Sequence, residues 1–475
     1  MPELQPVTTH ASSDPLTIVW FRRDLRVADH PALHAAAARG RVRPVYIDEP
    51  EGPWATGAAA RYWLHQSLAA HAAELATRGA PLVLRRGAAH AVLDELVATS
   101  GADAVYWIRR YEPHGMACDA DLKRRLGARC EVRSFQGHVL FEPHTVATAN
   151  DTPYRVFTPF HKACLARGEP PPPLPAPARL VAPDTTPSGL ALAALGLEPR
   201  RDWAGGIRAA WTFGERAACA RLEAFVDGAL VDYPVQRDYP DVQGVSGLSP
   251  HLAFGELSAR SAWHEVRAAQ AAAAAGVFDR AADAWLRQLT WREFAYHLLY
   301  HYPHTIEAPL REDFAALPWV DDAPGLAAWT RGATGFPLVD AGMRELWATG
   351  YMHNRVRMLT ASFLTKHLGV HWLAGARWFW DTLVDADLAN NTLGWQWVAG
   401  CGADAAPYFR IFNPHSQSRK FDPAGNYLRR WLPPLAALGD DAIHVPTRTT
   451  GYPAPLVDLK TAREAALARY AQMRR

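Results

Sequence analysis

The stretch TIVWFRRDLRVADHPALHAAAARGRVRPVYI, residues 17–47, decides the fold of the N-terminal part of the chain. It contains two short apolar runs, TIVWF (17–21) and VRPVYI (42–47), which are typical of buried parallel strands. The pattern repeats in further apolar runs and in helical segments rich in Ala and Leu: PLVLRR (81–86), AVYWI (104–108), 62–78 and 91–99. This alternation predicts an α/β, doubly wound parallel-sheet (Rossmann-like) domain over 16–135. No G-x-G-x-x-G follows the first strand, so the usual dinucleotide fingerprint is missing.

The pattern changes after residue 135. A connector is expected over 136–205, because GEPPPPLPAPARLVAPDTTPSG (168–189) is dense in proline and suits an extended segment lying on a surface. Residues 206–475 are expected to form a large all-α domain. Its predicted helical segments are 215–228, 255–284, 285–303, 340–349, 351–368, 373–384 and 387–400.

Composition narrows the function classes. No apolar run approaches the ~20 residues that cross a bilayer, and the N-terminus lacks a secretory pattern, so we expect a cytoplasmic protein without a membrane partner. The five cysteines show no C-x-x-C spacing, and we expect neither a metal site nor a disulfide framework. The net charge of +2 does not indicate a nucleic-acid partner, so any basic DNA-binding surface would have to be local.

Tryptophan is abundant, with 18 residues, and most of them follow Trp263. Large aromatic residues usually fill a core. Their concentration in one half of the chain would also suit stacking on a flat cofactor, or electron transfer. Composition alone does not distinguish these functions from core packing.

Three segments carry candidate binding residues. In VSGLSPHLAFGELS (245–258), Ser249 and Pro250 suit a helix start, where Ser246, Ser249 and Arg292 could hold a diphosphate, although an ordinary capped helix explains the segment too. In WLRQLTWREF (285–294), Trp285, Gln288 and Arg292 share a helix face that suits a planar ligand and a phosphate, or an interface with another helix. In YMHNRVRMLTASFL (351–364), Asn354 and Met358 are helical neighbours.

The strongest segment is DADLANNTLGWQW (385–397), in which Asp387, Asn391 and Trp395 fall on one helix face. A carboxylate and an amide there could hold a redox-active ring, with an indole one turn away to pass an electron. A buried polar network is the alternative. Gly394 lies inside this predicted helix, where glycine is ~1 kcal/mol less favourable than alanine for helix stability. Close packing or a functional requirement should therefore explain why glycine is present.

The segment 406–431 interleaves basic and aromatic residues. Arg410, Arg419, Lys420, Arg429 and Arg430 stand against a single acid, Asp422. Phosphate contacts combined with base stacking need this mixture. A solvated charged surface is the alternative, and the position just beyond the Trp-rich segment favours nucleic acid.

Taken together, several motifs resemble the photolyase/cryptochrome family, and most closely its microbial members that act on cyclobutane pyrimidine dimers: WFRRDLR (20–26), WREF (291–294), GYMHNRVRM (350–358), DADLANNTLGWQW (385–397) and APYFRIFNP (406–414). The resemblance runs from about residue 17 to 470. It implies an N-terminal antenna domain and a helical domain that binds FAD. It also implies light-driven DNA repair by a carbon–carbon lyase, in which excited reduced FAD gives an electron to the dimer and later takes it back.

The resemblance assigns residues to the cofactor and to the electron relay. The flavin would be lined by Tyr233, Val245, Ser246, Gly247, Leu248, Ser249, Trp285, Arg292, Asn354, Arg357, Asp385, Asp387 and Asn391. Asn391 would lie near flavin N5, where photolyases typically have Asn and plant cryptochromes have Asp. The relay that reduces the flavin would run from Trp395 to Trp372 and then to Trp329 towards the surface.

The resemblance also assigns the substrate site. The lesion pocket would be walled by Trp291, Trp397 and Met358, with Asn354 and Arg355 nearby, and Arg410 and Lys420 would contact the DNA backbone. Gln288 stands where dimer photolyases usually have Glu, which bonds the dimer. Because Gln donates and accepts hydrogen bonds but cannot give up a proton, we expect slower repair rather than none.

Three further expectations complete the sequence-based hypothesis. Damaged DNA is the expected partner, and the protein is expected to act as a monomer associated with the nucleoid. The segment WIRRYEP (107–113) departs from the pattern of a methenyl-folate site, so a folate, an 8-hydroxy-deazaflavin or no antenna chromophore all stay open. A cryptochrome-like blue-light receptor with weak or no repair is the main alternative function, and a dark flavin or nucleotide enzyme is a weaker one.

Overall fold

The computed structural model describes residues 14–474 except 50–51, 53, 186, 274–275, 406–408 and 448–450. The first three residues of the 406–414 motif therefore lie outside the described residues. Among the helices that are described, none combines the length and the apolar character that a membrane crossing requires.

The N-terminal half is built on a parallel sheet. In the described part of the chain its five strands are β1 Leu16–Phe21, β2 Arg41–Asp48, β3 Val83–Arg86, β4 Ala104–Ile108 and β5 Glu131–Phe135. The strand order is β3-β2-β1-β4-β5, so the chain winds outwards on both sides of β1. All six residues of β1 are buried, because helices cover both faces of the sheet. The predicted doubly wound fold is confirmed.

Helices connect these strands and continue into the connector. They are α1 Pro31–Arg39, α2 Ala58–Thr77, α3 Ala89–Ser100, α4 Pro113–Leu126 and α5 Phe157–Leu165. The proline-dense stretch 168–189 contains no helix among its described residues. It is bonded to the N-terminal domain instead, because Leu180 N donates to Arg78 O (2.7 Å) and Val42 N donates to Val181 O (2.8 Å).

The C-terminal half is mostly helical, as the sequence predicts. Its α-helices are α6 Gly205–Ala210, α7 Glu215–Ala224, α8 Tyr233–Gln236, α9 Ser249–Ala253, α10 Ala259–Ala272, α11 Val277–His301, α12 Ala323–Thr330, α13 Pro337–Thr349, α14 Asn354–Ser362, α15 Trp372–Thr382, α16 Leu388–Ala399, α17 Pro414–Phe421, α18 Asn426–Trp431 and α19 Leu459–Met473. Short π-helical segments at 225–229 and 363–367 extend α7 and α14. Helix α16 packs against α11, α14 and α15.

Two local predictions are wrong. The sequence divided the helices at 284/285, but α11 runs through that point and the break falls between α10 and α11, where Gly276 has φ +125°. Ser249 was expected to cap a helix, yet it lies within α9 and its hydroxyl makes no capping bond. The Ser249 Oγ donates to Asp385 Oδ2 instead (2.6 Å), because that carboxylate offers a stronger acceptor than a neutral group would.

Candidate active site

A cavity of about 720 Å³ lies in the helical half, bordered by α9, α11, α14, α15 and α16. This volume suits a large organic cofactor together with part of a substrate. Most of the side chains that the sequence singled out line it: Tyr233, Val245, Ser246, Leu248, Ser249, Trp285, Gln288, Trp291, Arg292, Asn354, Arg357, Met358, Asp385, Asp387, Asn391, Trp395, Trp397 and Arg410.

One polar group of the cavity centres on Asp385. Its Oδ2 accepts hydrogen bonds from Arg357 Nη2 (2.7 Å) and from Ser249 Oγ (2.6 Å). Burial lowers the pKa of Arg357, but the charge and the hydrogen bond of Asp385, together with the nearby Tyr351 and Glu345, raise that pKa above the ordinary value. The Oδ1 of Asp385 is buried and has no hydrogen-bond partner in the described part of the chain. A buried carboxylate oxygen without a partner is costly, which indicates that a ligand donor belongs there.

A second polar group connects the cavity to the connector. Arg292 Nη1 donates to His138 O (2.8 Å), and His138 Nε2 lies 2.6 Å from the hydroxyl of Tyr296, which also contacts the carboxylate of Asp387. Burial, and then the charge of Arg292, hold the pKa of His138 well below its usual value, so the imidazole is neutral. The group thus fixes Arg292 and Asp387 on one side of the cavity.

Helix α16 presents an amide and an indole to the cavity. Asn391 Nδ2 donates to Ala376 O (3.0 Å), which fixes the side chain and leaves its carbonyl oxygen available. Trp395 is buried, and its ring centre is 5.0 Å from Phe379 and 6.2 Å from Trp329. Its Nε1 has no hydrogen-bond partner among the described residues.

The rim of the cavity is aromatic and partly exposed. Trp291 stacks on Phe157, with ring centres 3.6 Å apart, and Trp397 Nε1 donates to the backbone carbonyl of Asp404 (3.1 Å). Both indoles are half-buried, so each keeps some surface in contact with solvent. The guanidinium of Arg410 lies 5.9 Å from the centre of the Trp397 ring.

Gln288 has defined partners at this rim. Its Nε2 donates to Ala284 O (3.0 Å), and its Oε1 accepts from Arg237 Nη2 (3.3 Å). Arg237 lines the cavity and lies over the ring of Tyr233, but the sequence did not point to it. It falls four residues after Tyr233, and this helical spacing is the signal that could have revealed it.

Three predicted binding residues lie outside the cavity lining. Arg355 is ion-paired with Asp238 (2.6 Å) and lies over the ring of Phe421. Lys420 is exposed, with its Nζ 5.2 Å from the same ring centre. Gly247 has φ +63° and turns the 245–249 loop, where a Cβ would lie 2.8 Å from Arg221 Nη1.

The predicted relay needs one correction. Trp372 and Trp329 are both buried, and Trp329 has no exposed surface at all, so it does not bring the relay towards the surface as expected. Trp372 stacks on His371 (5.6 Å between ring centres), whose other ring neighbour is Trp319 at 4.8 Å. Trp319 is half-buried and was missed, because it precedes α12 and belongs to no helix face.

Comparison with known proteins identifies the family. Residues 17–178 match the family described as DNA photolyase, and residues 285–472 match the FAD binding domain of DNA photolyase. The chain is 46% identical to the deoxyribodipyrimidine photo-lyase of Agrobacterium fabrum, over 96% of this chain and 98% of that protein. The chain belongs to the DNA photolyase/cryptochrome family.

Two other members of the family show its range. The crystal structure of a class III photolyase from Agrobacterium tumefaciens superposes with a TM-score of 0.94 at 45% identity, covering 99% of this chain and 100% of that one. Cryptochrome-2 of Arabidopsis thaliana is 37% identical, over 95% of this chain and 78% of that protein. The family thus includes both photolyases and cryptochromes. The cryptochrome relative is less similar in sequence to this chain than the two bacterial photolyases are.

The cavity of this photolyase family member fits FAD. Asp385 supplies an unpartnered acceptor, and Arg292 supplies a fixed cation for a diphosphate. Gly394 lines the cavity, and a Cβ at this position would meet no protein atom within 4 Å. Close packing against protein atoms therefore does not explain this helical glycine. FAD is the cofactor of this chain.

Proposed function

We propose that this chain splits cyclobutane pyrimidine dimers in DNA, using light and reduced FAD, and is thus a deoxyribodipyrimidine photo-lyase. The observation that carries the proposal is a single cavity with two parts. We call the part lined by the buried side chains of Asp385 and Arg292 its inner part, and the part lined by the half-buried Trp291 and Trp397 its outer part. A flavin and an extruded dimer of two adjacent pyrimidines from one strand would then share one cavity.

The inner part would hold the cofactor through residues on three helices, α11, α14 and α16, and on two loops, 245–249 and 383–387. When bound, reduced and light-excited FAD supplies the electron that opens the cyclobutane ring. Asn391 would hold the isoalloxazine through its amide, Arg357 and Asp385 would bind polar ring atoms, and Arg292 with the 245–249 loop would bind the diphosphate. The burial of Asp385 and Arg292 limits their contact with water and strengthens their electrostatic contacts.

The outer part binds the lesion. Trp291 and Trp397 offer flat faces for the two pyrimidine rings, and Met358 fills the space beside them. Gln288 hydrogen-bonds the carbonyl and imide groups of the dimer, after exchanging its contact with Arg237. Arg410 and Lys420 contact phosphates on either side, and the weakened stacking of a dimer lowers the cost of extruding it.

Electrons from a reductant in solution would reach the flavin through a chain of aromatic rings. Trp395 lies beside the cavity, Trp372 is buried on the adjacent helix, and Trp319 is the partly exposed end. His371 stands between the last two rings, at 5.6 Å and 4.8 Å from them. This path replaces the predicted exit through Trp329.

A cryptochrome-like receptor is the second candidate, and Gln288 is the observation that favours it. The neutral amide cannot share a proton with the dimer as the usual Glu does. Asn391 favours repair, and so does the higher identity to the bacterial photo-lyase. The two functions differ in turnover, since a receptor signals without consuming a substrate.

A repair assay distinguishes the two candidates. The reduced protein is mixed with a dimer-bearing oligonucleotide and illuminated, and the recovery of thymine absorbance is followed, with a dark sample as control. We expect recovery in the light alone, and a higher rate for Gln288→Glu. Tight binding of the oligonucleotide without recovery in either protein would support the receptor.

We propose that the protein acts as a monomer in the cytoplasm, at the nucleoid. The bacterial relative acts on DNA by its name, and bacterial DNA lies in that compartment. Size-exclusion chromatography with light scattering should give the mass of one chain, 52.4 kDa plus the cofactor. A dimer mass at micromolar concentration would contradict the monomer.

A further inference from the structure

The motif WFRRDLR (20–26) begins inside β1 and continues into the loop that follows it. All of its residues are described, and none of them lines the cavity. Strand β1 lies between β2 and β4, where the winding of the sheet changes direction. In doubly wound folds the carboxyl ends of the strands at this point are the usual place of a functional site. In this protein the residues after β1 contact the helical half of the chain.

The loop after β1 is packed closely against the end of α9. Leu25 N donates to Phe254 O (3.1 Å), and Arg26 Nη1 donates to Gly255 O (3.0 Å). Gly255 has φ +65°, and a Cβ on it would lie 2.3 Å from Arg23 O, so a side chain would not fit there. Because α9 borders the cavity, the N-terminal half helps to fix one part of the cavity wall.

The side chain of Arg23 reaches a second part of the cavity wall. Its Nη1 donates to the backbone carbonyl of Ala386 at 2.9 Å. Its guanidinium lies 4.8 Å from the ring centre of Phe254, at the end of α9, and 5.9 Å from that of Trp380, on α15. Arg23 is half-buried between these segments. One side chain of the N-terminal half thus joins α9 and α15 to the loop 383–387.

Ala386 lies between two carboxylates that line the cavity, those of Asp385 and Asp387. The buried Oδ1 of Asp385 has no hydrogen-bond partner among the described residues, and Asp387 caps α16 by accepting a bond from Asn390 N (2.8 Å). Residues 385–387 belong to neither α15 nor α16. Since no helical ladder holds this short segment, its conformation depends on contacts from elsewhere, and the bond from Arg23 is one of them.

We propose that Arg23 is a positioning residue for FAD, which holds the Ala386 carbonyl so that Asp385 and Asp387 are in place before the cofactor binds. A charged donor makes a stronger bond to a carbonyl than a neutral donor does. A segment that is already ordered spares the protein the cost of ordering it when FAD enters. This inference depends on FAD as the cofactor and not on the proposed function, because FAD binding in the dark needs neither DNA nor repair.

The test measures the affinity for FAD. The FAD-loaded full-length protein is diluted in the dark, and the fluorescence of the released FAD gives the Kd. Arg23→Met should raise the Kd about tenfold, because methionine keeps the apolar contact with Phe254 but cannot donate to Ala386 O. Arg23→Lys should keep the Kd within threefold of the parent, because its ammonium can donate to that carbonyl. The visible circular dichroism of bound FAD should change in Arg23→Met and stay parent-like in Arg23→Lys.

Arg22→Met is the matched control, because Arg22 is the neighbouring arginine of the same motif and its bonds stay within the N-terminal half. Its Nη1 pairs with Asp119 (2.8 Å), and its Nη2 donates to Ile108 O (2.6 Å). Arg22→Met should lower the midpoint of urea unfolding at least as much as Arg23→Met does, but it should leave the Kd for FAD within twofold of the parent. If Arg23→Met does not fold, Arg23→Gln replaces it with the same expected rise in Kd, because its shorter side chain cannot reach Ala386 O.

Three outcomes would overturn the positioning role of Arg23. They are a Kd for Arg23→Met within twofold of the parent, an equal rise in Arg23→Lys and Arg23→Met, and an equal rise in Arg22→Met. A protein that shows the expected differences in FAD affinity but does not repair dimers would contradict the proposed function and leave this inference intact.

Discussion

Replacing Gly375 by alanine should displace the indole of Trp395. A Cβ on Gly375 would lie 2.1 Å from Cη2 and 2.5 Å from Cζ3 of Trp395, and 2.7 Å from Cδ2 of Leu364. All three distances are below the 3.0 Å that real Cβ contacts keep. Since Phe379 and Trp329 pack against the same indole, it can escape the clash only by shifting within the cavity wall.

The cost follows from two opposed contributions. Overpacking a close-packed core costs about 1–3 kcal/mol, whereas Ala is favoured over Gly inside a helix by roughly 0.5–1 kcal/mol. We therefore expect Gly375→Ala to lower the free energy of unfolding by about 1–2 kcal/mol. The shifted ring should also slow the light-driven reduction of oxidised FAD, because electron transfer depends on the distance between the rings.

The assay combines urea unfolding with the rate of FAD reduction under blue light. Gly228→Ala is the control, because a Cβ at this helical position meets no atom within 4 Å, so stability should rise slightly and reduction should be unchanged. A Gly375→Ala protein with the parent's stability and reduction rate would refute the packing of Trp395 against α15.

The remaining predictions concern the relay, the lesion pocket and one buried lysine. Trp395→Phe should block light-driven reduction of oxidised FAD while chemically reduced protein still repairs dimers; surviving photoreduction would exclude Trp395 from the relay. Trp291→Ala should weaken binding of dimer-bearing DNA about five- to 150-fold through lost stacking, with unchanged FAD content, and equal binding would remove Trp291 from the pocket. Lys366 donates to Ala399 O, and burial lowers its pKa to about 7. Between that pKa and 10.5 the unfolded chain binds one more proton than the folded chain does, so raising the pH stabilises the fold. The midpoint of urea unfolding of the parent should therefore rise relative to that of Lys366→Met from pH 7 to 10. A difference between the two midpoints that stays constant with pH would contradict this.

The fold could be predicted where burial on both faces leaves continuous apolar runs. Strands β1, β2 and β4 are of this kind and were found. Strand β5, EVRSF, was not singled out, because it is an edge strand and its side chains are half exposed. The boundary between α10 and α11 was misplaced because Ala-rich sequence continues through the break, and the glycine at 276 was the overlooked signal.

The site residues could be predicted where their spacing along the sequence places them on one face of a helix. The faces of α11 and α16 were found this way, since Trp285, Gln288 and Arg292 all line one cavity. Contacts between distant segments left no such signal. His138 reaches Arg292 from the connector, and the backbone carbonyl of Asp404 accepts the hydrogen bond of Trp397 Nε1. No local pattern in the sequence marks either residue.

Transfer of an electron from the flavin to the dimer is best tested by the excited-state lifetime of reduced FAD in the protein. The lifetime is measured alone, with undamaged oligonucleotide and with the same oligonucleotide carrying a dimer. We expect the dimer to shorten it and the undamaged strand to leave it unchanged, because the proposed function places the lesion between Trp291 and Trp397, in the cavity that binds the flavin. An unchanged lifetime with the dimer fully bound would contradict this arrangement.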